Sequence, residues 1–378
     1  MELFDKGIDV EKGLALADRV HPKYKPVFDV IPKRDRAALA LYFLPHRSRK
    51  ESLEVTRPRV IKWYCPFADQ RHFKSGHRYC INVYTGCSHE CRYCYAKGYS
   101  AAEANCKSAF RSDLARDLED LERYDVAPAP VHISNSTDPL QPLEAEHRHT
   151  FHVLEQLVQQ RHRFTTVTLL TKNPEMLMDE RYILHLRRLN SLSKEHPRYE
   201  DFQRSGLPPL RIECSLAFYD DRARLLLDPE APGVASRIEA IRFLRGQGIP
   251  VVLRIDPLFP RNPLRDGKML GDFGLPDIQP LADIENLVRF SREVGAMHIV
   301  YSVAKITRPR FDVIAPVMLK FKEVYEHLAN GQSLVFRGGS WRLPDDIAMN
   351  YIVAPLLDIC RRYEIQAKVC KENLISTP

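Results

Sequence analysis

The chain has 378 residues, 44% of them apolar and 28% charged, and carries a net charge of +7. That length suffices for one large α/β domain or two ordinary ones with a substantial core, and the composition is that of a soluble globular protein. The opening MELFDKGIDVEKG lacks the basic-then-apolar pattern of a secretory signal, and the apolar run Ala37–Leu44 is too short for a bilayer, so a cytoplasmic protein with no membrane partner is expected.

Residues 1–76 are punctuated by proline and basic, and read as an extension wrapped on the main domain. Between His21 and Tyr64, eleven Lys and Arg face four Asp and Glu. A phosphate backbone is one partner for such an excess, and plain solvation is the other reading. A regular rhythm follows over 77–304. A strand at Arg78–Thr85 leads to a helix at Ser100–Tyr124, whose Phe110, Leu114, Leu118 and Leu121 recur at spacings of three and four. Strands are then expected at Val131–Ser136, Thr165–Thr171, Leu210–Phe218, Ile249–Phe259 and Met297–Val303. Helices are expected near Glu144–Gln160, Pro174–Leu189, Val234–Gly246 and Pro280–Val294.

Six apolar strands alternating with five helices predict a parallel sheet with right-handed crossovers. Open sheets and closed or partial barrels share this alternation. In both, polar residues at the C-terminal strand ends are where chemistry is sought. Those ends are SNSTDP, LLTKNP, ECS and RIDP. A cation inside an apolar strand is costly unless paired, so Lys172 and Arg254 point to an anionic ligand or to internal ion pairs. Residues 261–280, with three Gly and three Pro, form a lid or an inert loop. In the C-terminal segment 305–378, RGGSW is a phosphate-contacting loop or a simple turn, and a helix near Ile347–Tyr363 helps close the domain.

Nine cysteines without an export signal favour metal or redox chemistry over disulfides. Cys65, Cys80, Cys106, Cys214, Cys360 and Cys370 are scattered and read as small core thiols. Cys87, Cys91 and Cys94 stand together in YTGCSHECRYCYA. An iron–sulfur cube normally takes four thiolates. Three would leave one position open, as a catalytic zinc does. A zinc knuckle completed by His77, His89 or Cys80 is the competing reading.

The spacing Cys-x3-Cys-x2-Cys after the first strand is similar to that of radical SAM enzymes. Over roughly Tyr79 to Val303 the chain resembles their spore photoproduct lyase-like branch. The resemblance rests on the cysteine loop, SNSTDPLQPLE, LLTKNPEML, ECSLAFYDDRARLLLDPEAPGVASRIEAI and GIPVVLRIDPLFP. It implies a partial (β/α)6 barrel of TIM type with N- and C-terminal extensions. It implies a 4Fe–4S cluster on Cys87, Cys91 and Cys94, with S-adenosylmethionine chelating the fourth iron. Tyr93 would border the adenine. Ser134, Ser136 and Asp138 would lie near the amino group or ribose, Ser215 would make a polar contact, and Lys172 and Arg254 would meet the carboxylate. An electron from a flavodoxin- or ferredoxin-type donor would cleave the cofactor to a 5′-deoxyadenosyl radical. That radical would take hydrogen from a substrate, with a nucleic acid base as the first expectation. A peptide side chain, or a non-catalytic metal protein that binds nucleic acid, are the alternatives. The family's lyase carries a hydrogen-donating cysteine at the end of the second strand, and HISNSTDP has none. Cys214, Cys360 or Cys370 could replace it only by facing the cavity, and Tyr95 or Tyr99 could also relay the hydrogen.

Overall fold

The structure is a computed structural model, and it describes residues 9–18, 33–34, 36–37, 40, 60–62, 79–101, 103–123, 129–134, 136–191, 194, 199–200 and 208–370. Most of the basic segment His21–Tyr64, together with Cys65 and His77, lies outside the described residues.

One eight-stranded sheet organises the chain. Its strands are β1 (Ile61–Lys62), β2 (Tyr79–Ile81), β3 (Ala129–Ile133), β4 (Phe164–Thr171), β5 (Leu210–Ser215), β6 (Val251–Leu258) and β7 (Ile299–Val303), with a last strand Ala367–Val369 beside β7. From β2 to β7 the strands lie in sequence order and pair in parallel. β1 adds antiparallel at one edge and Ala367–Val369 adds parallel at the other. Parallel strands in sequence order joined by helical crossovers curl into a barrel. Among the described residues the two edges of this sheet are not paired to each other, so the barrel is partial.

The register explains the division of labour between the two faces. Ile81 pairs with Ile133, Ile133 with Leu169, and Leu169 with Ile212. This apolar row belongs to the buried core. One residue along, Cys80 pairs with His132, His132 with Thr168, and Thr168 with Arg211. The strands thus alternate apolar and polar, more than the near-continuous apolar runs expected from the sequence. The reason is that the inner face borders a polar interior instead of a second helical layer.

The helices keep their predicted faces with trimmed ends. Phe110, Leu114, Leu118 and Leu121 are all buried, but their helix starts at Phe110, ten residues later than expected. The helix Leu143–His147 is separated from His149–Gln159 by Arg148 at φ 50°. Residues Pro174–Met178 form a 3-10 turn ahead of the helix Glu180–Asn190. Asp221–Leu227 is an additional helix ahead of Val234–Gly246.

The segment after 304 is not purely helical. Three short strands, β8 (Ile306–Thr307), β9 (Val335–Arg337) and β10 (Ser340–Arg342), make a second small sheet, so the last strand of the large sheet, Ala367–Val369, is β11. RGGSW is the β9–β10 hairpin turn, with Gly338 at φ 58° and Gly339 at φ 76°, the positive pair that a tight two-residue hairpin requires. The stretch 261–280 is packed down, contrary to a free lid. Leu264, Leu270, Leu275 and Ile278 are buried, and the Gln279 amide donates to Ala217 O at 2.8 Å and Pro257 O at 3.0 Å. No helix among the described residues is long and apolar enough to cross a membrane.

Candidate active site at the barrel mouth

The cysteine loop leaves β2 and is held on both flanks by side chains and carbonyls. Thr85 and Asn105 exchange backbone hydrogen bonds of 3.0 and 2.7 Å. Gly86 lies at φ 70°, where an added Cβ would fall 2.0 Å from Glu103 O, so only glycine fits there. The Gln141 side chain accepts from Ser88 N at 2.9 Å and donates to Gly86 O at 3.3 Å. The buried Glu144 carboxylate accepts from the hydroxyls of Tyr84 and Tyr182 and from Thr150 N and Phe151 N. On the other flank, Arg92 N donates to Leu227 O at 2.8 Å, and His89 Nδ1 lies 3.3 Å from Glu230 O. SNSTDPLQPLE and LLLDPEAPG thus brace the loop.

Cys87, Cys91 and Cys94 line one cavity at the C-terminal ends of the strands, together with Ser136, Asp138, Lys172, Ser215 and Arg254. Burial pushes all three thiols up, Cys87 to about 12. Such thiols ionise when a cation replaces the lost solvation, as metal ligation does. The donor set therefore fits a cluster that takes three protein thiolates. Among the described residues, no three His, Cys, Asp or Glu side chains gather closely enough to hold a single ion.

Asp138 joins three strand ends. Its carboxylate accepts from Leu140 N at 2.9 Å, Thr171 Oγ1 at 2.7 Å and Lys172 N at 2.6 Å, and lies 3.2 Å from His89 Nε2. Burial opposes its ionisation, but the His89 imidazole and the N–H donors outweigh burial and hold the carboxyl below its ordinary value. Lys172 Nζ contacts Tyr93 Oη at 2.7 Å, Ser215 Oγ at 3.2 Å and Asp228 Oδ2 at 3.2 Å. Arg254 donates to Glu213 Oε2 at 2.7 Å and to Asp256, and its guanidinium also lies 3.2 Å from Cys370 Sγ. Both cations expected to meet a carboxylate of the cofactor therefore close internal ion pairs, although both still line the cavity. Glu213 falls to about 2: burial resists, and Arg254, His132 and Arg211 overcome it.

Other expected positions divide clearly. Ser136, Asp138 and Ser215 line the cavity. Ser134 does not; it is buried at φ 60° with its hydroxyl 3.4 Å from Thr137 Oγ1, and Thr137 lines the cavity instead. Tyr93 also lines the cavity, its ring packed edge-on against Phe218 and Phe259. Tyr95 lines the cavity beneath Lys305 Nζ, 5.1 Å from the ring centre. Tyr99 stands at the rim, 48% exposed, with its hydroxyl 3.1 Å from Ser136 Oγ. Cys214 is a correction. Strand alternation puts Glu213 and Ser215 on the inner face, so Cys214 is fully buried in the core on the opposite face and cannot deliver hydrogen to the cavity. Cys80 and Cys360 are buried and Cys106 and Cys370 partly so, and none of the four lines the cavity. The sequence reading missed Thr137, Ser302 and Lys305 as lining residues and Asp228 as the partner of Lys172, while Asp256, the polar end of RIDP, does line the cavity. Lys305 follows its strand in VAKIT as Lys172 follows its own in LLTKNP, and that pattern was the available signal.

No protein-family model matches the sequence. An uncharacterized protein of Methanocaldococcus jannaschii is 22% identical over 185 residues, which is 49% of this chain and 62% of that protein. The match thus spans less than two thirds of the relative's length. Among solved structures, a mutant of spore photoproduct lyase superposes with a TM-score of 0.50 at 13% identity, covering 87% of this chain and 88% of that one. The same enzyme complexed with dinucleoside spore photoproduct gives 0.50 at 13% identity, over 83% and 80%. These likenesses show the fold: an α/β partial barrel of the kind the resemblance implied.

Proposed function

We propose that the chain is a radical SAM enzyme of the spore photoproduct lyase-like branch, acting on a nucleic acid base or nucleotide. One observation carries this reading. The three thiols of the Cys-x3-Cys-x2-Cys loop open into the same cavity as the polar ends of the parallel strands. The bound cluster and S-adenosylmethionine together supply a carbon radical able to take hydrogen from an unactivated C–H bond.

The protein's own residues do the rest. Gln141, Glu144, Leu227 and Glu230 fix the loop that carries the thiolates. Asp138 sets the ends of the second and third parallel strands relative to each other, so that Ser136, Thr137 and Lys172 face one space. Asp256, held by Arg254 and Ser302, and Lys305 provide a polar wall. The apolar part of the lining, with Tyr95, Leu170, Pro257 and Val303, limits water around a reactive intermediate. Exposed Tyr99 and Phe336, with Arg337, offer stacking surfaces and a cation for a base and its phosphate.

The test is anaerobic reconstitution followed by reduction with dithionite in the presence of S-adenosylmethionine. The expected product is 5′-deoxyadenosine, absent from Cys91→Ala. Its persistence in that variant would remove the assigned role of Cys91. Deuterium from a labelled oligonucleotide should appear in the 5′-deoxyadenosine. Transfer from a labelled peptide instead would move the substrate to the peptide class.

A further inference from the structure

The cysteine loop is approached from two sides. Besides the main cavity, two hollows reach Cys94, and their walls include Lys97, Pro309 and Asp312; the first adjoins the main cavity through Cys87, Cys91, Ala96 and Ser136, and the second, walled also by Arg92, Thr307 and Val313, shares only Cys94 with it. The segment after β8 forms the wall of this second hollow. It is pinned to the loop by Arg310 N donating to Lys97 O at 2.9 Å, and Gly98 lets Thr307 approach, since a Cβ there would sit 3.3 Å from its methyl. On this wall Phe311 is 59% and Val313 78% exposed, a pair of large apolar side chains facing solvent beside a thiol loop. Arg92 and Lys97 line the same hollow as Val313, Arg310 stacks its guanidinium on the Phe311 ring at 4.9 Å, and exposed Arg308 precedes them in the chain, against Glu90 and Asp312. None of the four cations forms an ion pair among the described residues.

We propose that this face docks an acidic one-electron carrier protein. The inference rests on the function proposed above, because that function needs an electron from outside the chain. A small apolar centre with a rim in which cations outnumber acids suits a transient complex steered by charge. The location suits the transfer, since tunnelling falls steeply with distance and Cys94 lines the hollow beside Val313. One electron passes from the reduced carrier, which is oxidised, to the cluster, which is reduced. No bond or proton is exchanged.

The experiment compares two reductants on the reconstituted full-length protein, reduced flavodoxin and dithionite, with formation of 5′-deoxyadenosine as readout. The variants are Arg308→Glu with Arg310→Glu, and separately Val313→Asp, each checked for unchanged iron content. With flavodoxin at low salt the double variant should be slower by about ten-fold, and the wild-type rate should itself fall with added salt. With dithionite all three proteins should agree within about two-fold. Equal rates with flavodoxin would overturn the docking surface, as would equal losses with both reductants, which would assign these residues to substrate or to folding. A wild type that dithionite cannot drive would overturn the function proposed above, and this surface with it.

Discussion

Lys172 and Asp228 form an ion pair of 3.2 Å between the end of β4 and the turn after the helix Asp221–Leu227, with the carboxylate wholly buried and the lysine 15% exposed. Tyr93, inside the cysteine loop, shares the same ammonium. The pair therefore couples the loop to two parts of the barrel that are distant in sequence. Asp228→Ala leaves the ammonium unpaired in a dry site and should cost about 3–5 kcal/mol in chemical denaturation. Lys172→Met combined with Asp228→Leu should recover most of that loss, because two well-packed apolar groups replace the pair. A double variant as unstable as the single one would mean that the pair is not what holds this region.

The loop conformation is a separate requirement. Gly86→Ala places a methyl against Glu103 O in a backbone conformation that alanine resists. A loss of more than about 1 kcal/mol is expected, together with reduced iron uptake on reconstitution. Full iron content with unchanged stability would contradict the geometry described for this turn.

Glu213 gives the stability a defined acid dependence. Its pKa is depressed from 4.5 to about 2 in the folded protein, so its ionised form contributes stability that is complete above about 4.5. That contribution is lost as the pH falls through 2, because the unfolded chain binds the proton first. Stability should fall on acidification through this window, by about 3 kcal/mol from this group. Glu213→Gln should be less stable at neutral pH and flatter between pH 4.5 and 2. An unchanged slope in that variant would show that Glu213 is not the group responsible.

Cys214 should be silent in the chemistry. Cys214→Ala removes one buried atom, for about 1 kcal/mol of stability, and should leave 5′-deoxyadenosine formation within about two-fold. Loss of activity in a folded, iron-loaded variant would return a catalytic role to this thiol.

The parallel strands and the faces of the helices were legible because period-two and period-3.6 patterns follow directly from burial. Phe110, Leu114, Leu118 and Leu121 illustrate this, as does the helix Val234–Gly246, whose bounds were read correctly. The thiol loop was legible because its spacing is local. The assignment of Lys172 was not, since its partner Asp228 lies 56 residues away and a cation in a strand looks the same whether paired or waiting for a ligand; Arg254 pairs both with Glu213, 41 residues away, and with Asp256, two residues along in RIDP, and only the second partner stood in the local sequence. Ser134 and Cys214 were misplaced for another reason. One residue of register moves a side chain to the other face, and the strand ends carried no apolar alternation to fix the phase. The two- and three-residue strands β1, β8, β9, β10 and β11 are too short to carry a periodic signal.

The most direct measurement of the central claim is electron–nuclear double resonance on reconstituted, reduced protein with S-adenosylmethionine labelled with 15N at its amino group. Three cysteines leave one iron without a protein ligand, so the account predicts a resolved coupling between the cluster and that nitrogen. Absence of the coupling, with a fourth thiolate or a histidine nitrogen on the remaining iron, would contradict it.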